Sequence, residues 1–147
     1  MNIYRELKIK SGHRERVVSF GEASTPEELE EMFRLRFSVY SSLGYINEEK
    51  YPDGLEKDSL DVPEKSKYFI AKIDGCVIGC IRLITIHPLP TQICFEFKEP
   101  AVLESVRPDE RYELGRFIII PPGKDKEDYL PRGLVMLFLF DTACSYC

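Results

Sequence analysis

Three features of this chain predict one mixed α/β domain: a strong helix start near Thr25, a hairpin signal at Asp74-Gly75, and a closing apolar run after Gly133. The elements read in order as strand, helix, hairpin, strand, helix. No internal repeat, low-complexity tract or linker divides the 147 residues, so residues 1–147 are read as a single domain.

The first strand is the alternating stretch Arg16-Val17-Val18-Ser19-Phe20, which Gly21 to Ser24 then break. Thr25-Pro26-Glu27-Glu28 combines an N-cap hydroxyl, a proline at the first helical position and a capping-box glutamate. The helix that starts there has an apolar face of Leu29, Met32, Phe33, Phe37 and Tyr40, with Gly44 placed as its C-terminal cap. The stretch from Asn47 to Lys67 is polar and acidic, carries Pro52 and Pro63 and has no sustained period, and so reads as a long ordered or semi-ordered loop.

Lys67 to Ile73 and Cys76 to Thr85 are β-rich runs joined by Asp74-Gly75, a pair suited to a type I′ turn. After the proline-punctuated segment His87 to Pro90, Ile93 to Phe97 is expected to be a short edge strand and Glu99 to Val106 a helical turn. Arg111 to Ile120 reads as a strand ending at Pro121-Pro122-Gly123. A charged loop leads from there to Pro131-Arg132-Gly133, and Leu134 to Cys147 is expected to form a buried helix.

Composition narrows the function classes. Hydrophobic residues at 44% and charged residues at 31% give the balance of a globular protein that folds in water. The first thirty residues lack an apolar leader core and no run has the length of a membrane span, so a cytoplasmic protein is expected. A net charge of −5 without a basic stripe argues against nucleic acid as the main partner. The five cysteines, Cys76, Cys80, Cys94, Cys144 and Cys147, are odd in number and mostly lie in apolar runs, which argues against a disulfide framework. The Cys144/Cys147 spacing has no matching histidine pair, and no metal site is expected.

Polar residues on apolar faces are the candidates for chemistry. Arg36 falls on the apolar face of the first helix, and a buried guanidinium requires a carboxylate partner. Asp58 and Asp61, in Leu55-Glu56-Lys57-Asp58-Ser59-Leu60-Asp61, are its natural partners, a solvated acidic loop being the plain alternative. Arg82 shares strand parity with Ile78, Cys80 and Ile84, so it points from a partly apolar face unless it snorkels to water at the strand end. In Tyr112-Glu113-Leu114-Gly115-Arg116-Phe117, strict alternation sends Glu113 and Arg116 to opposite faces. A bulge at Gly115 would re-aim one of them, with Glu113 then able to act as a base and Arg116 as an anion holder. The alternative is a cross-strand ion pair on an exposed face.

Five short segments in order carry a resemblance over Leu29 to Ile120. They are Arg36-Phe37-Ser38-Val39-Tyr40, Leu43-Gly44-Tyr45, Glu56-Lys57-Asp58-Ser59-Leu60-Asp61, Gly79-Cys80-Ile81-Arg82-Leu83 and Glu113-Leu114-Gly115-Arg116-Phe117. In this the chain resembles the acyl-homoserine-lactone synthases and their relatives, the N-acyl amino acid synthases and exosortase-associated acyltransferases. Two positions depart from the pattern: Tyr45 stands where homoserine-lactone synthases usually carry Trp, and Leu114-Gly115 stands where Ser is common before the Arg. These departures leave S-adenosylmethionine and an amino acid both open as the amine.

The resemblance implies a GNAT-like three-layer fold, a central mostly antiparallel sheet flanked by helices. It implies an N-acyltransferase that moves an acyl group from an acyl-carrier-protein or acyl-coenzyme A thioester, with no bound cofactor, to the amine of a small substrate. The product class would be N-acyl amino acids or acyl-homoserine lactones, the latter used in quorum sensing. By residue, it implies catalytic roles for Glu113 and Arg116, and substrate-binding or site-building roles for Arg36, Tyr40, Tyr45, Asp58, Asp61 and Arg82. It further places Phe117, Ile118, Arg132 and Gly133 at the donor's phosphopantetheine. Folds of this type normally continue with further strands, so the chain is expected to be an N-terminal part that leaves a hydrophobic helix face exposed. A non-catalytic binding module and a plain acetyl-coenzyme A enzyme are the competing readings.

Overall fold

The computed structural model describes residues 1–11, 14–96, 104–120 and 131–146. A five-stranded antiparallel sheet runs in sequence order through β1 (Asn2–Ser11), β2 (Arg14–Glu22), β3 (Ser66–Ile73), β4 (Cys76–Ile84) and β5 (Glu113–Ile119). The helices are α1 (Pro26–Ser42), α2 (Pro90–Cys94) and α3 (Arg132–Cys144). Among the described residues no helix is long and apolar enough to cross a membrane.

The two longer helices pack on opposite faces of the sheet, making the expected three layers. On one face Met32 and Phe33 of α1 meet Tyr68, Ile70, Val77, Cys80 and Ile118. On the other Val135, Leu139 and Ala143, spaced at four residues along α3, meet Val18, Phe20, Phe69, Ile81 and Leu83. Each large apolar side chain so buried contributes about 1.5–3 kcal/mol, which is why two narrow helical stripes suffice to clamp the sheet. Leu134, Met136, Leu137 and Phe140 on the outer side of α3 are exposed. The closing helix is therefore buried along one stripe only, and it leaves the hydrophobic face that the sequence leads one to expect.

Local signals explain the best-formed elements. Thr25 Oγ1 accepts from Glu28 N at 3.3 Å, as an N-cap should. The Glu28 carboxylate reaches past Thr25 to Ser24 N at 3.0 Å. At the other end Gly44, at φ 68°, lets Gly44 N bond Ser41 O and Tyr45 N bond Tyr40 O, while the Tyr40 and Tyr45 rings pack 6.2 Å apart. That is a Schellman cap with its hydrophobic contact. Asp74 and Gly75 both have positive φ, 50° and 86°, as a type I′ turn between β3 and β4 demands.

Three expectations need correction. A strand, β1, precedes the first one foreseen, and β2 continues through Gly21 to Glu22, where a break was expected. Gly21 is needed there because a Cβ would stand 1.9 Å from the Asn2 carbonyl oxygen. Residues 93–94 belong to the short helix α2, with residues 95–96 outside any strand, so no edge strand forms at 93–96. Phe97, most of the helical turn from Glu99, Pro121-Pro122-Gly123, the charged loop after it and Cys147 lie outside the described residues.

Candidate functional site

The face of the sheet that carries α1 also carries the polar candidates, and the loop between α1 and β3 brings the carboxylates to them. That loop is ordered by its own hydrogen bonds. Glu56 N donates to Phe33 O of α1 at 3.2 Å, Leu60 N to Asp58 Oδ1 at 2.8 Å, and Asp58 N to Asp61 Oδ2 at 2.8 Å. The Asp58 turn thus presents three carboxylates, from Glu56, Asp58 and Asp61, toward three guanidinium groups.

Arg36 is fully buried and doubly paired. Its Nη1 and Nη2 donate to the two oxygens of Asp61 at 2.9 Å each, and its Nε to Glu56 Oε2 at 2.6 Å. Arg82 Nη1 donates to Asp58 Oδ1 at 2.7 Å and lies 3.0 Å from Asp61 Oδ1. Arg116 Nη2 closes the network, 3.0 Å from Glu56 Oε1 and 2.9 Å from Asp58 Oδ2. Three arginines against three carboxylates leave the cluster formally neutral, the condition under which so much charge can be buried.

The protonation states follow from the same contacts. Burial pulls the Arg36 guanidinium toward neutrality, but Asp61 and Glu56 outweigh it and hold the group charged. Burial likewise pushes the Asp61 carboxyl up, and the Arg36 hydrogen bonds more than reverse this, leaving it below the usual range. Arg82 is stabilised as a cation against its burial by Asp58 and Asp61. Burial and the nearby Asp61 raise the Tyr68 phenol, whose hydroxyl has no hydrogen-bond partner among the described residues.

The bulge lies in β5. Cys80 pairs with Ile118 and Arg82 with Gly115, so one residue of β4, Ile81, stands opposite two of β5, Arg116 and Phe117. The left-handed residue is Arg116, at φ 54°, one position after the glycine that signals the irregularity. This turn carries the Arg116 side chain to the α1 face, its guanidinium 5.6 Å from the centre of the Tyr40 ring. Buried Cys80 holds the bulge from β4, its Sγ 3.6 Å from the Arg116 carbonyl oxygen. Burial pushes that thiol up to about 12, which keeps it protonated as the donor of this hydrogen bond. Gly79 allows the close approach, since a Cβ there would stand 2.9 Å from Ile118 O.

Glu113 pairs with Ile84 at the start of β5, which puts it on the same face as Arg82 and Gly115. It forms no ion pair with Arg116, contrary to the exposed cross-strand alternative. Its Oε2 instead accepts from Thr91 N at 2.9 Å and Thr91 Oγ1 at 2.8 Å.

The structure therefore brings Arg36, Asp58, Asp61, Arg82, Arg116 and Tyr40 together, but with one partner changed. Asp58 pairs with Arg82 and Arg116, and Glu56 takes its expected place beside Arg36. Arg82 does not snorkel, being 5% exposed. Tyr45 touches Tyr40 at the edge of the cluster and is 72% exposed. Ile118 is buried under α1 and Phe117 is exposed beside the bulge. Arg132 Nη2 donates to Ile119 O at 3.3 Å, which sets the first turn of α3 and Gly133 beside the end of β5.

Glu56, Cys80 and Thr91 are site residues that the sequence reading passed over. Glu56 could have been found by counting, because three inward-facing arginines require three carboxylates. Nothing local marks Thr91. Among the described residues no group of three or more His, Cys, Asp or Glu side chains is placed to hold a metal.

A model of the N-acyl amino acid synthase FeeM family matches residues 31–146. The fold is similar to that of the AHL synthase LasI, with a TM-score of 0.58 and 23% identity over 89% of this chain. The match covers 65% of the LasI chain, a little under two thirds. No curated protein matches the chain.

Proposed function

The chain belongs to the N-acyl amino acid synthase FeeM family, and on that premise we propose that it transfers an acyl group from a thioester to the amine of a small substrate. The observation that carries this reading is the β5 bulge, which turns Arg116 to the face that holds Glu113 and the arginine–carboxylate cluster. We assign the fold to the GNAT type. The donor is an acyl-carrier protein or acyl-coenzyme A, the acceptor an amino acid or S-adenosylmethionine, and the place of work the cytoplasm. An acyl-homoserine lactone, and with it a role in quorum sensing, is the product if the acceptor is S-adenosylmethionine.

In this mechanism Glu113, directly or through a water, takes a proton from the acceptor's ammonium group. The freed nitrogen attacks the thioester carbonyl, and a backbone N–H at the bulge stabilises the oxyanion that forms. Collapse breaks the C–S bond, giving an amide and a thiol, with no covalent enzyme intermediate. Arg36, Glu56, Asp61 and Arg82 hold the loop, helix and sheet in register, while Arg116, Asp58, Tyr40 and Tyr45 meet the acceptor. Phe117, Ile118, Arg132 and Gly133 border the donor's pantetheine arm at the end of β5.

The test is thiol release and product mass for the full-length gene product, with acyl-carrier protein and acyl-coenzyme A as donors against a panel of amino acids and S-adenosylmethionine. One thiol and one amide per turnover for a defined pair is the expected result. Thermal stabilisation by these ligands without any thiol would mark a binding module instead. Turnover restricted to acetyl-coenzyme A would mark a plain acetyltransferase.

A further inference from the structure

We infer that Thr91 is a positioning residue for Glu113: it holds one carboxylate oxygen so that the other is presented to the ammonium group of the acceptor. The inference rests on the reading of Glu113 as the base. Both hydrogen bonds from Thr91, at 2.9 Å from its amide and 2.8 Å from its hydroxyl, end on Oε2, and among the described residues none ends on Oε1. The backbone of Glu113 is already fixed by its pairing with Ile84, so anchoring the carboxylate removes its main remaining freedom.

Capping of α2 does not by itself explain the pair. That helix is one turn long and Gln92 already ties its start, since Leu89 N donates to Gln92 Oε1 at 2.9 Å and Gln92 N bonds the Leu89 backbone O at 2.9 Å. The amide of Thr91 alone would satisfy a cap. The additional hydroxyl bond, to the same oxygen, fixes rotation of the carboxylate about its last torsion, the one that decides where Oε1 points. Three residues further along β5 lies the Arg116 bulge, so an acceptor bound at the cluster is within roughly 10 Å of Glu113 along the strand.

The experiment compares Thr91→Val, Thr91→Ser, Glu113→Gln and the Thr91→Val/Glu113→Gln double variant, in the full-length gene product, by steady-state thiol release. Valine keeps the shape and the backbone bond and deletes only the hydroxyl. We expect Thr91→Val to lower kcat about tenfold with KM changed less than about twofold, and Thr91→Ser to recover most of the rate. The double variant should be no slower than Glu113→Gln, because a residue that acts through Glu113 has nothing left to position. Wild-type kcat in Thr91→Val, failure of serine to recover the rate, or a double variant slower than Glu113→Gln overturns the inference alone. A wild-type rate in Glu113→Gln overturns the base reading and the inference with it.

Discussion

The Arg36–Asp61 and Arg116–Asp58 ion pairs have the same length, 2.9 Å, yet they stand in different surroundings. The side chains of Arg36, Glu56 and Asp61 are at most 1% exposed, whereas those of Arg116 and Asp58 are 33% and 29% exposed. The inner pair is also two-pronged, Nη1 and Nη2 of Arg36 each meeting one Asp61 oxygen, whereas Arg116 reaches Asp58 through Nη2 alone; burial is the larger difference. Removing one partner from the inner pair strands an opposite charge in the protein interior, while at the outer pair water can replace the lost partner. The inner half is thus suited to holding the loop, α1 and the sheet together, and the outer half to meeting a substrate.

That contrast is broken most severely at Arg36. Substituting Arg36→Ala leaves Asp61 and Glu56 buried without their main cation, and a loss of about 3–5 kcal/mol of unfolding free energy is expected in urea titration. Arg116→Met should instead cost less than about 1.5 kcal/mol of stability and lower acyl transfer at least about tenfold. A stability loss at Arg116 as large as that at Arg36 would end the division into a holding half and a working half.

The smallest effect is the pH dependence of the inner pair. The folded Asp61 pKa lies below its ordinary value of 3.8, so its contribution is fully present above that value and is lost as pH falls through the lower folded value. Melting temperature should therefore drop below about pH 4. The part of that drop due to Asp61 should vanish in Asp61→Asn, and an unchanged acid limb in that variant would contradict the assignment.

The elements that the sequence made legible are those set by local chemistry. Thr25-Pro26, Gly44 and Asp74-Gly75 each need only neighbouring residues to act, and α1 and the β3–β4 hairpin appear where they point. Strand β1 escaped because it is an edge strand with little to bury: Ile9 is its one buried hydrophobic residue, and a register shift between Ile3 and Arg5 disturbs its alternation. Residues 93–96 looked like a strand on too short a window, since what organises that segment is Thr91 binding Glu113, 22 residues away.

The site shows the same division. Arg36 and Arg82 were readable because charge on an apolar face demands a partner, and Gly115 announced the bulge although Arg116 takes its left-handed conformation. Which carboxylate serves which arginine was not readable, because the Asp58 turn decides the aim of each acid. Thr91 carries no sequence signal, because its partner is set by how α2 folds back on β5.

The most direct test of the account is the rate of thiol release by Glu113→Gln in the full-length gene product, measured where its melting temperature matches that of the wild type. Glutamine keeps an acceptor for Thr91 but is no base, so a rate lowered about 10²- to 10⁴-fold is expected. A wild-type rate would contradict the account and reduce Glu113 to a cap for α2.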